Sequence, residues 1–274
     1  MSDYTAIFNG HDLSDLFIVG RPQRHLVAWE PDLIDMPAGF GSLFAGTHPQ
    51  AMEVSIALTT MAETLEERLA AWSTLNGWLY VTEPKELYLS DETFVWTTEY
   101  TLPLMRYAVP SGGVDIDYAH NCEQASVRFV CPDPRAVAIL RIDGTGDPSI
   151  FSPSTGGTIN GVYGTAPTGL RIRMTGVHGS NYTDKFRVSI VTTDADGNRV
   201  PEFSGRYDFD INRNASQTIV IDSEKRTLTV DGVTTMMPPE NAEWVRICGG
   251  YNVTISATAG GCDTITTEFV PRWW

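Results

Sequence analysis

Basic residues are scarce in this 274-residue sequence, which holds 19 Lys and Arg against 34 Asp and Glu. Residues 1–135 carry 7 basic and 19 acidic side chains, so most of the net charge of -15 falls in the first half. Duplex DNA and anionic membrane surfaces are bound mainly through Lys and Arg that neutralise negative charge. We therefore expect no specific nucleic-acid binding and no membrane-surface binding.

Long hydrophobic runs are also missing. No stretch approaches the roughly 18 consecutive apolar residues that a membrane span needs. The first ten residues are polar and show no basic segment followed by an apolar run, which is the pattern of a secretory signal. The expectation is a protein made soluble in the cytoplasm of its host.

Only four cysteines occur, Cys122, Cys131, Cys248 and Cys262, and none belongs to a C-x-x-C pair. Closely spaced cysteines are the usual mark of zinc and thiol redox sites. In a reducing cytoplasm, widely spaced cysteines are expected to be small buried hydrophobic residues rather than disulfide or metal partners.

Catalytic motifs are absent as well. The sequence has no G-x-S-x-G nucleophile elbow and no phosphate loop of the G-x-x-x-x-G-K-[ST] type. Its histidines stand singly, without the H-E-x-x-H spacing of a zinc site: His11, His25, His48, His120 and His178. We expect no enzyme activity, no cofactor, no metal site and no catalytic residues.

Two acidic clusters could in principle hold calcium or serve acid–base chemistry. Asp194–Asn198 imitates the start of a calcium loop but has Arg199 at the sixth position, where the loop needs Gly. A hairpin turn using Asp196-Gly197 is the favoured interpretation. Asp115 and Asp117 follow the Gly-rich Ser111–Gly113 and are interpreted as a solvated loop.

Hydrophobic residues make up 42% of the chain, and its length suits two domains. Alternating apolar residues over Met52–Leu58 predict a strand. The following stripe predicts a helix over residues 61–76, capped by Thr60 with Glu63 and stopped at Gly77. Its stripe residues are Met61, Leu65, Leu69, Trp72 and Leu75. We interpret this helix as packing on a core.

The rest of the chain predicts strands. In the first half these lie at residues 78–81, 86–89, 94–102 and 125–131. Pro132-Asp133-Pro134 breaks regular structure and coincides with the charge shift, so it is the predicted domain boundary. The second half predicts short strands at regular intervals, typical of an antiparallel sandwich, with the clearest hairpin at residues 218–232. Residues 144–169 are either a long loop or two poorly marked strands.

Several short motifs occur in a fixed order along the chain. Ile7–Val19 contains an F-N-G-x-D-L-S stretch, Pro37–Gly41 is similar to a P-G-x-x-G turn, and Leu87–Asp91 is similar to an L-x-F-x-D element. Further stretches are Ile219–Asp222 with Leu228–Gly232, Gly250–Ile255, and the Pro271–Trp274 ending. In this order they resemble the motifs of the distal tail (Dit) proteins of long non-contractile-tailed phages.

The resemblance implies a structural virion protein at the distal end of the tail. Residues 1–133 would be a ring-forming belt domain, a β-sandwich with one amphipathic helix, and residues 134–274 a galectin-like β-sandwich. The subunit would form a hexameric ring with copies of itself. Its other partners would be the tail tube protein and the tail tip, hub or baseplate proteins.

Two other classes of function remain open from the sequence. A carbohydrate-binding adhesin would recognise a host wall glycan through the second domain by stacking sugars on exposed aromatic rings. The rings available are Tyr163, Tyr182, Tyr207, Trp244, Trp273 and Trp274. A wall hydrolase would instead need carboxylates brought together from separate strands.

Overall fold

The computed structural model describes residues 4–35, 42–95, 101–112, 114–117, 124–138, 151–155, 157–159, 162, 164–177, 185–210, 217–235, 244–259 and 261–274. These residues divide into two compact units, one within Met1–Leu140 together with Trp274, the other within Arg141–Trp273. Strands predominate in both units, and their recorded pairings are antiparallel. The predicted mainly β fold with one amphipathic helix is therefore confirmed for the described residues.

The first unit contains twelve described strands and the single described α-helix, α1 at Leu65–Leu79. The strands are β1 Ala6–Phe8, β2 His11–Asp12, β3 Phe17–Val19, β4 Gln23–Arg24, β5 Trp29–Asp35, β6 Ser42–Pro49, β7 Met52–Thr60, β8 Lys85–Val95, β9 Thr101–Pro110, β10 Asp115–Asp117, β11 Gln124–Cys131 and β12 Ala136–Ala138. Strands follow one another across the unit in the order β2-β1-β8-β9-β11-β7-β3, while β5 and β6 pair only with each other among the described strands.

The core of this unit is formed by side chains from several of these strands, and α1 covers it. Phe8 of β1 meets Phe129 of β11 with ring centroids 4.9 Å apart. Phe17 of β3 meets Trp72 of α1 at 4.6 Å. The predicted alternation of β7 is confirmed, since Met52, Val54, Ile56 and Leu58 are all buried. Burial of these apolar surfaces is the main source of the unit's stability.

The F-N-G-x-D-L-S stretch forms a tight hairpin followed by a capped turn. Asn9 and Gly10 have φ values of 51° and 79°, and Phe8 pairs with His11, which defines a two-residue turn of type I′. Asp12 then accepts a 2.8 Å hydrogen bond from the backbone N–H of Ser14 and caps a short 3-10 helix. His11 stacks on Trp78 of α1 at 4.7 Å.

The predicted helix bounds were wrong by one turn. Thr60 stays in β7, where it pairs with Phe17, so the helix uses the next T-x-x-E box instead. Thr64 caps it and exchanges two hydrogen bonds with Glu67, whose pKa is lowered by the backbone N–H of Thr64. Gly77 does not stop the helix, which continues through Trp78 and Leu79, so the strand predicted at residues 78–81 was also wrong.

The second unit is built from two facing sets of strands. Its strands are β13 Phe151–Thr155, β14 Gly157–Ile159, β15 Thr168–Val177, β16 Lys185–Thr193, β17 Gly205–Asp210, β18 Gln217–Asp222, β19 Thr227–Val230, β20 Val233–Thr235, β21 Arg246–Ile247, β22 Asn252–Ala259, β23 Thr264–Phe269 and β24 Arg272–Trp273. One sheet runs β13-β23-β15-β18-β19-β20, and the other runs β14-β22-β16-β17. A continuous apolar core includes Leu170, Met174, Phe186, Ile190 and Ile255.

Several predictions for this unit are confirmed. The hairpin expected at residues 218–232 is present as β18 and β19, and a second tight turn at Asp231-Gly232, with φ values of 49° and 83°, leads into β20. Within residues 144–169 the described part contains β13 and β14, so the alternative of poorly marked strands was right there. Alternating burial on β15 and β18 follows the period of two that the sequence showed.

Candidate assembly surfaces

The β5–β6 hairpin exposes apolar side chains at its outer end. Leu33, Ile34, Leu43 and Phe44 are 58, 56, 57 and 62% exposed. Leu33 lies opposite Phe44, and Ile34 lies opposite Leu43, so neighbouring pairs face opposite sides of the ribbon. We call these four residues the distal hairpin. Exposed apolar residues on both faces of a two-stranded ribbon are typical of an interaction surface.

The inner end of the same hairpin is polar on one face and aromatic on the other. His48 Nδ1 lies 2.9 Å from Asp32 Oδ1, and its Nε2 lies 3.6 Å from Glu30 Oε2. Trp29 packs edge-on against Trp274 with ring centroids 4.9 Å apart. These contacts hold the root of the hairpin. The sequence had given no strand prediction for residues 29–49, because their alternation is weak.

The outward side of α1 is a second exposed surface. Leu65, Leu69 and Tyr80 are 63, 57 and 83% exposed, and Ser73 and Asn76 lie between them on the same side at helical spacing. We call these five residues the helix face. From Leu69 to Tyr80 the sequence contains no charged residue, although residues 1–135 as a whole carry 26 charged side chains. A helix side that stays in water normally carries charge, so the composition of this side is typical of an interface.

A groove of about 590 Å³ opens beside the end of this helix. Its walls come from the helix face and from the β9–β11 region, with Ser73, Asn76, Tyr80, Pro110, Ser111 and Val127 among the lining residues. Helix α1 ends here, and Tyr80, the next residue, has an extended backbone conformation (ψ 96°). The groove is mixed polar and apolar, and it lies within the size range of about 300–1,000 Å³ that holds ligands or inserted side chains.

A buried ion network lies elsewhere in the first unit. The Arg106 and Glu92 side chains are only 7 and 6% exposed, and Arg106 Nε donates to Glu92 Oε1 at 3.1 Å. Arg106 also donates to the backbone carbonyl of Pro134. Arg24 bridges Glu92 at 3.4 Å and Asp91 at 2.8 Å. The register of β8 against β9 shifts between Tyr88 and Thr93, and Glu92 lies within this irregular stretch.

A shallow cleft of about 220 Å³ in the second unit is lined largely by charged residues. Arg171 pairs with Glu268 at 3.0 Å, and Arg272 lies 3.4 Å from Glu224. Glu224 Oε2 also accepts a 2.8 Å hydrogen bond from the backbone N–H of Gly169. Four of the charged residues of this cleft are therefore paired within the chain.

The aromatic residues considered for glycan stacking are mostly unsuited to it. Tyr207 is fully buried, and Trp273 is 6% exposed. Trp244 is partly buried against the core and lies 6.3 Å from Tyr207, while Trp274 is half-buried against Trp29. Tyr207 and Trp273 therefore offer no exposed platform, because both side chains face inward. Tyr163 and Tyr182 lie outside the described residues.

Tyr207 has a structural role that the sequence did not reveal. Its hydroxyl accepts a 3.0 Å hydrogen bond from the backbone N–H of Val245 and lies 3.0 Å from the Ser223 hydroxyl. Burial raises the pKa of this phenol. The contacts join β17 to the end of β18 and to the segment before β21, inside one core.

The acidic loop at Asp194–Asn198 is a hairpin turn. Asp194 Oδ1 accepts from the backbone N–H groups of Asp196 and Asn198, and Gly197 has a φ of 83°. The Asn198 backbone N–H lowers the pKa of Asp194. Asp115 and Asp117 lie in β10 rather than in a loop. In the part of the chain that the structure describes, no cluster of three or more His, Cys, Asp or Glu has metal-binding geometry.

The described histidines and cysteines are dispersed. His11 stacks on Trp78, and His48 lies on the exposed hairpin; His120 and His178 fall outside the described residues. Cys131 is buried and free, and burial raises its thiol pKa to about 11. Cys248 and Cys262 are half-buried and free, so the expectation of full burial holds for Cys131 but not for them. Cys122 lies outside the described residues.

Among the described residues, α1 is too short and too polar to cross a membrane, and no other helix meets that requirement.

Comparison with known proteins gives a fold match from solved structures alone. No protein-family model matches the chain, and no curated protein matches it. The crystal structure of phage SPP1 Dit, a paradigm of the hub adsorption apparatus in phages infecting Gram-positive bacteria, is similar over 99% of each chain, with a TM-score of 0.66 and 14% identity. A structure of the phage p2 baseplate in its activated conformation with Sr covers 97% of each chain, at a TM-score of 0.42 and 10% identity. The predicted resemblance to Dit proteins is thus confirmed at the level of the fold.

Proposed function

We propose that this chain, which has the Dit fold over its whole length, is a non-enzymatic structural subunit at the distal end of a phage tail. It forms a hexameric ring with copies of itself and joins the tail tube to the tail tip or baseplate. The main support is the similarity to SPP1 Dit across 99% of both chains, which includes both units rather than one shared domain. Because a fold alone does not establish a function, the surfaces of this chain must also suit the proposed role.

The exposed surfaces of the first unit support an assembly role. The distal hairpin and the helix face together present seven large apolar or aromatic side chains that are more than half exposed. Monomeric soluble proteins rarely expose contiguous apolar patches larger than a few hundred Å². A subunit that works inside a larger assembly accounts for this exposure, because neighbours cover it.

The charge of the chain supports a position around a channel that passes DNA. A net charge of -15, concentrated in residues 1–135, gives a field that repels nucleic acid. A ring that must let a genome slide through benefits from such a surface. In this proposal residues 1–133 are the ring-forming domain, and residues 134–274 are a galectin-like β-sandwich.

Measuring particle mass and shape tests the ring. We expect purified protein, alone or mixed with tail tube and hub proteins, to give particles of six chains with six-fold symmetry in negative-stain images. A chain that stays monomeric at high concentration both alone and with those partners would contradict the proposal.

The adhesin alternative has a separate test. Binding of purified host wall glycan to the whole protein, lost when an exposed aromatic residue of the second unit is replaced, would favour it. No binding, together with six-fold rings, is the result expected from a purely structural subunit.

A further inference from the structure

The two apolar surfaces of the first unit differ in secondary structure and in shape. The distal hairpin is a narrow ribbon with apolar pairs on both faces, whereas the helix face is one side of a single helix that leads into the 590 Å³ groove. A closed ring repeats one contact in which a surface of each copy meets a different surface of the next copy. Two unlike surfaces on one chain are what such a contact requires.

We propose that the distal hairpin of one copy docks on the helix face of the next copy, with Leu33 and Phe44 directed toward the groove beside Tyr80. This inference rests on the proposed function and names the pair of surfaces that would close the ring. The occupant of the helix face is therefore a second copy of this chain.

Charge favours a second copy at this place on the molecule. Two chains of net charge -15 repel each other over most of their surfaces. The helix from Leu69 to its end carries no charge, and Leu33, Ile34, Leu43 and Phe44 are uncharged as well. A contact centred on these side chains desolvates few carboxylates, and burying a carboxylate without a partner is costly.

The groove beside the helix face has room for side chains of the ribbon. Four large side chains of the ribbon would face a groove of about 590 Å³ and two exposed leucines, Leu65 and Leu69. Standard protein–protein contacts bury about 800 Å² on each partner around a small apolar centre. The hairpin's polar root, with its Glu30–His48 contact, would then lie at the rim of the contact, which remains hydrated.

Two charge-introducing variants test the contact. Phe44→Glu blocks the ribbon, and Leu69→Glu blocks the helix face; both positions are more than half exposed, so the folded subunit should be retained. Leu26→Glu, at a position 95% exposed and outside both surfaces, is the matched control. Sedimentation at a fixed protein concentration should give rings for the wild type and for Leu26→Glu, and monomers for each blocked variant. Unfolding midpoints close to that of Leu26→Glu confirm that the variants are folded.

Mixing the two blocked variants gives a sharper result. The Leu69→Glu copy keeps its ribbon, and the Phe44→Glu copy keeps its helix face, so the mixture should form one-to-one pairs and no rings. If Leu69→Glu forms rings by itself, or if the mixture stays monomeric, the proposed contact is wrong, but the proposal of a ring is not affected. A monomeric wild type with tail partners present would overturn the ring, and the contact with it.

Discussion

Arg106 and Glu92 meet inside the first unit, with Nε and Oε1 3.1 Å apart and both side chains less than a tenth exposed. Removing one partner of a buried ion pair leaves an uncompensated charge, which typically costs about 3–5 kcal/mol. Arg24 still lies 3.4 Å from Glu92 in this variant, so we expect Arg106→Leu to lower the free energy of unfolding in urea titrations by no more than the lower end of that range. The double variant Arg106→Leu, Glu92→Leu should recover a large part of the loss. Lys85→Gln, which breaks an exposed pair with Glu83, is the control and should change stability little.

Gly10 and Gly77 should respond oppositely to alanine. Gly10 has a φ of 79° in the hairpin turn, a conformation that costs an L-residue about 1–2 kcal/mol. Gly77 lies in the helix with open space around its Cα, so alanine there should stabilise by about 0.5–1 kcal/mol. Thermal unfolding of Gly10→Ala and Gly77→Ala measures both signs. Equal shifts in one direction would contradict the turn geometry or the helix extension through Gly77.

Cys131 should be protected from alkylation. Its pKa is raised from 9.0 to about 11 because the thiol is buried. Between those values an unfolded chain loses the thiol proton while the folded chain keeps it, so this group's contribution to stability is present below pH 9 and is lost as the pH rises toward 11. Mass spectrometry after iodoacetamide treatment at pH 8 should find Cys131 modified in urea and unmodified in the native protein. Fast native modification would show that the thiol is accessible.

Tyr207→Phe should destabilise the second unit. The substitution keeps the ring in the core but removes the acceptor of the Val245 backbone N–H and the partner of Ser223. A buried donor left without an acceptor costs about 1–3 kcal/mol. Urea unfolding followed by tryptophan fluorescence, to which Trp244 beside Tyr207 contributes, measures the loss. Tyr80→Phe, at a side chain 83% exposed, should leave the midpoint unchanged.

Salt should strengthen self-association. The net charge of -15 opposes the approach of two copies, and ions screen that repulsion over distances of about 10 Å at 0.1 M. The proposed contact between uncharged surfaces has no ion pairs to lose. Sedimentation at 0.05 and 0.5 M NaCl should therefore show more of the protein in rings at the higher concentration. Dissociation by salt would indicate a contact built on ion pairs instead.

Secondary structure was predicted best where a stretch of sequence showed one uninterrupted hydrophobic period. Strand β7 was correct because Met52–Leu58 alternate without interruption and face one core. The start of α1 was misplaced because the sequence contains two T-x-x-E boxes in succession, and only the pairing of Thr60 with Phe17 in the sheet selects the second. Its end was misplaced because Trp78 and Leu79 pack against the core and outweigh the helix cost of Gly77.

The candidate surfaces were harder to predict. The helix was expected to pack through Leu65 and Leu69, yet both are exposed, and the buried side is formed by Ala71, Trp72 and Leu75. Apolar residues at helical spacing show that a side is covered, but they do not show whether the same chain covers it. The uncharged run from Leu69 to Tyr80 was the available signal.

The β5–β6 ribbon pairs with no third strand in the described part of the chain, and a lone two-stranded ribbon is at best marginally stable in water. In a free subunit its amide hydrogens should therefore exchange quickly with solvent, and in an assembled particle slowly. Folding of the ribbon and capture of a neighbour then become one coupled event. A free subunit would then lack a fully formed docking element until a neighbouring copy binds it.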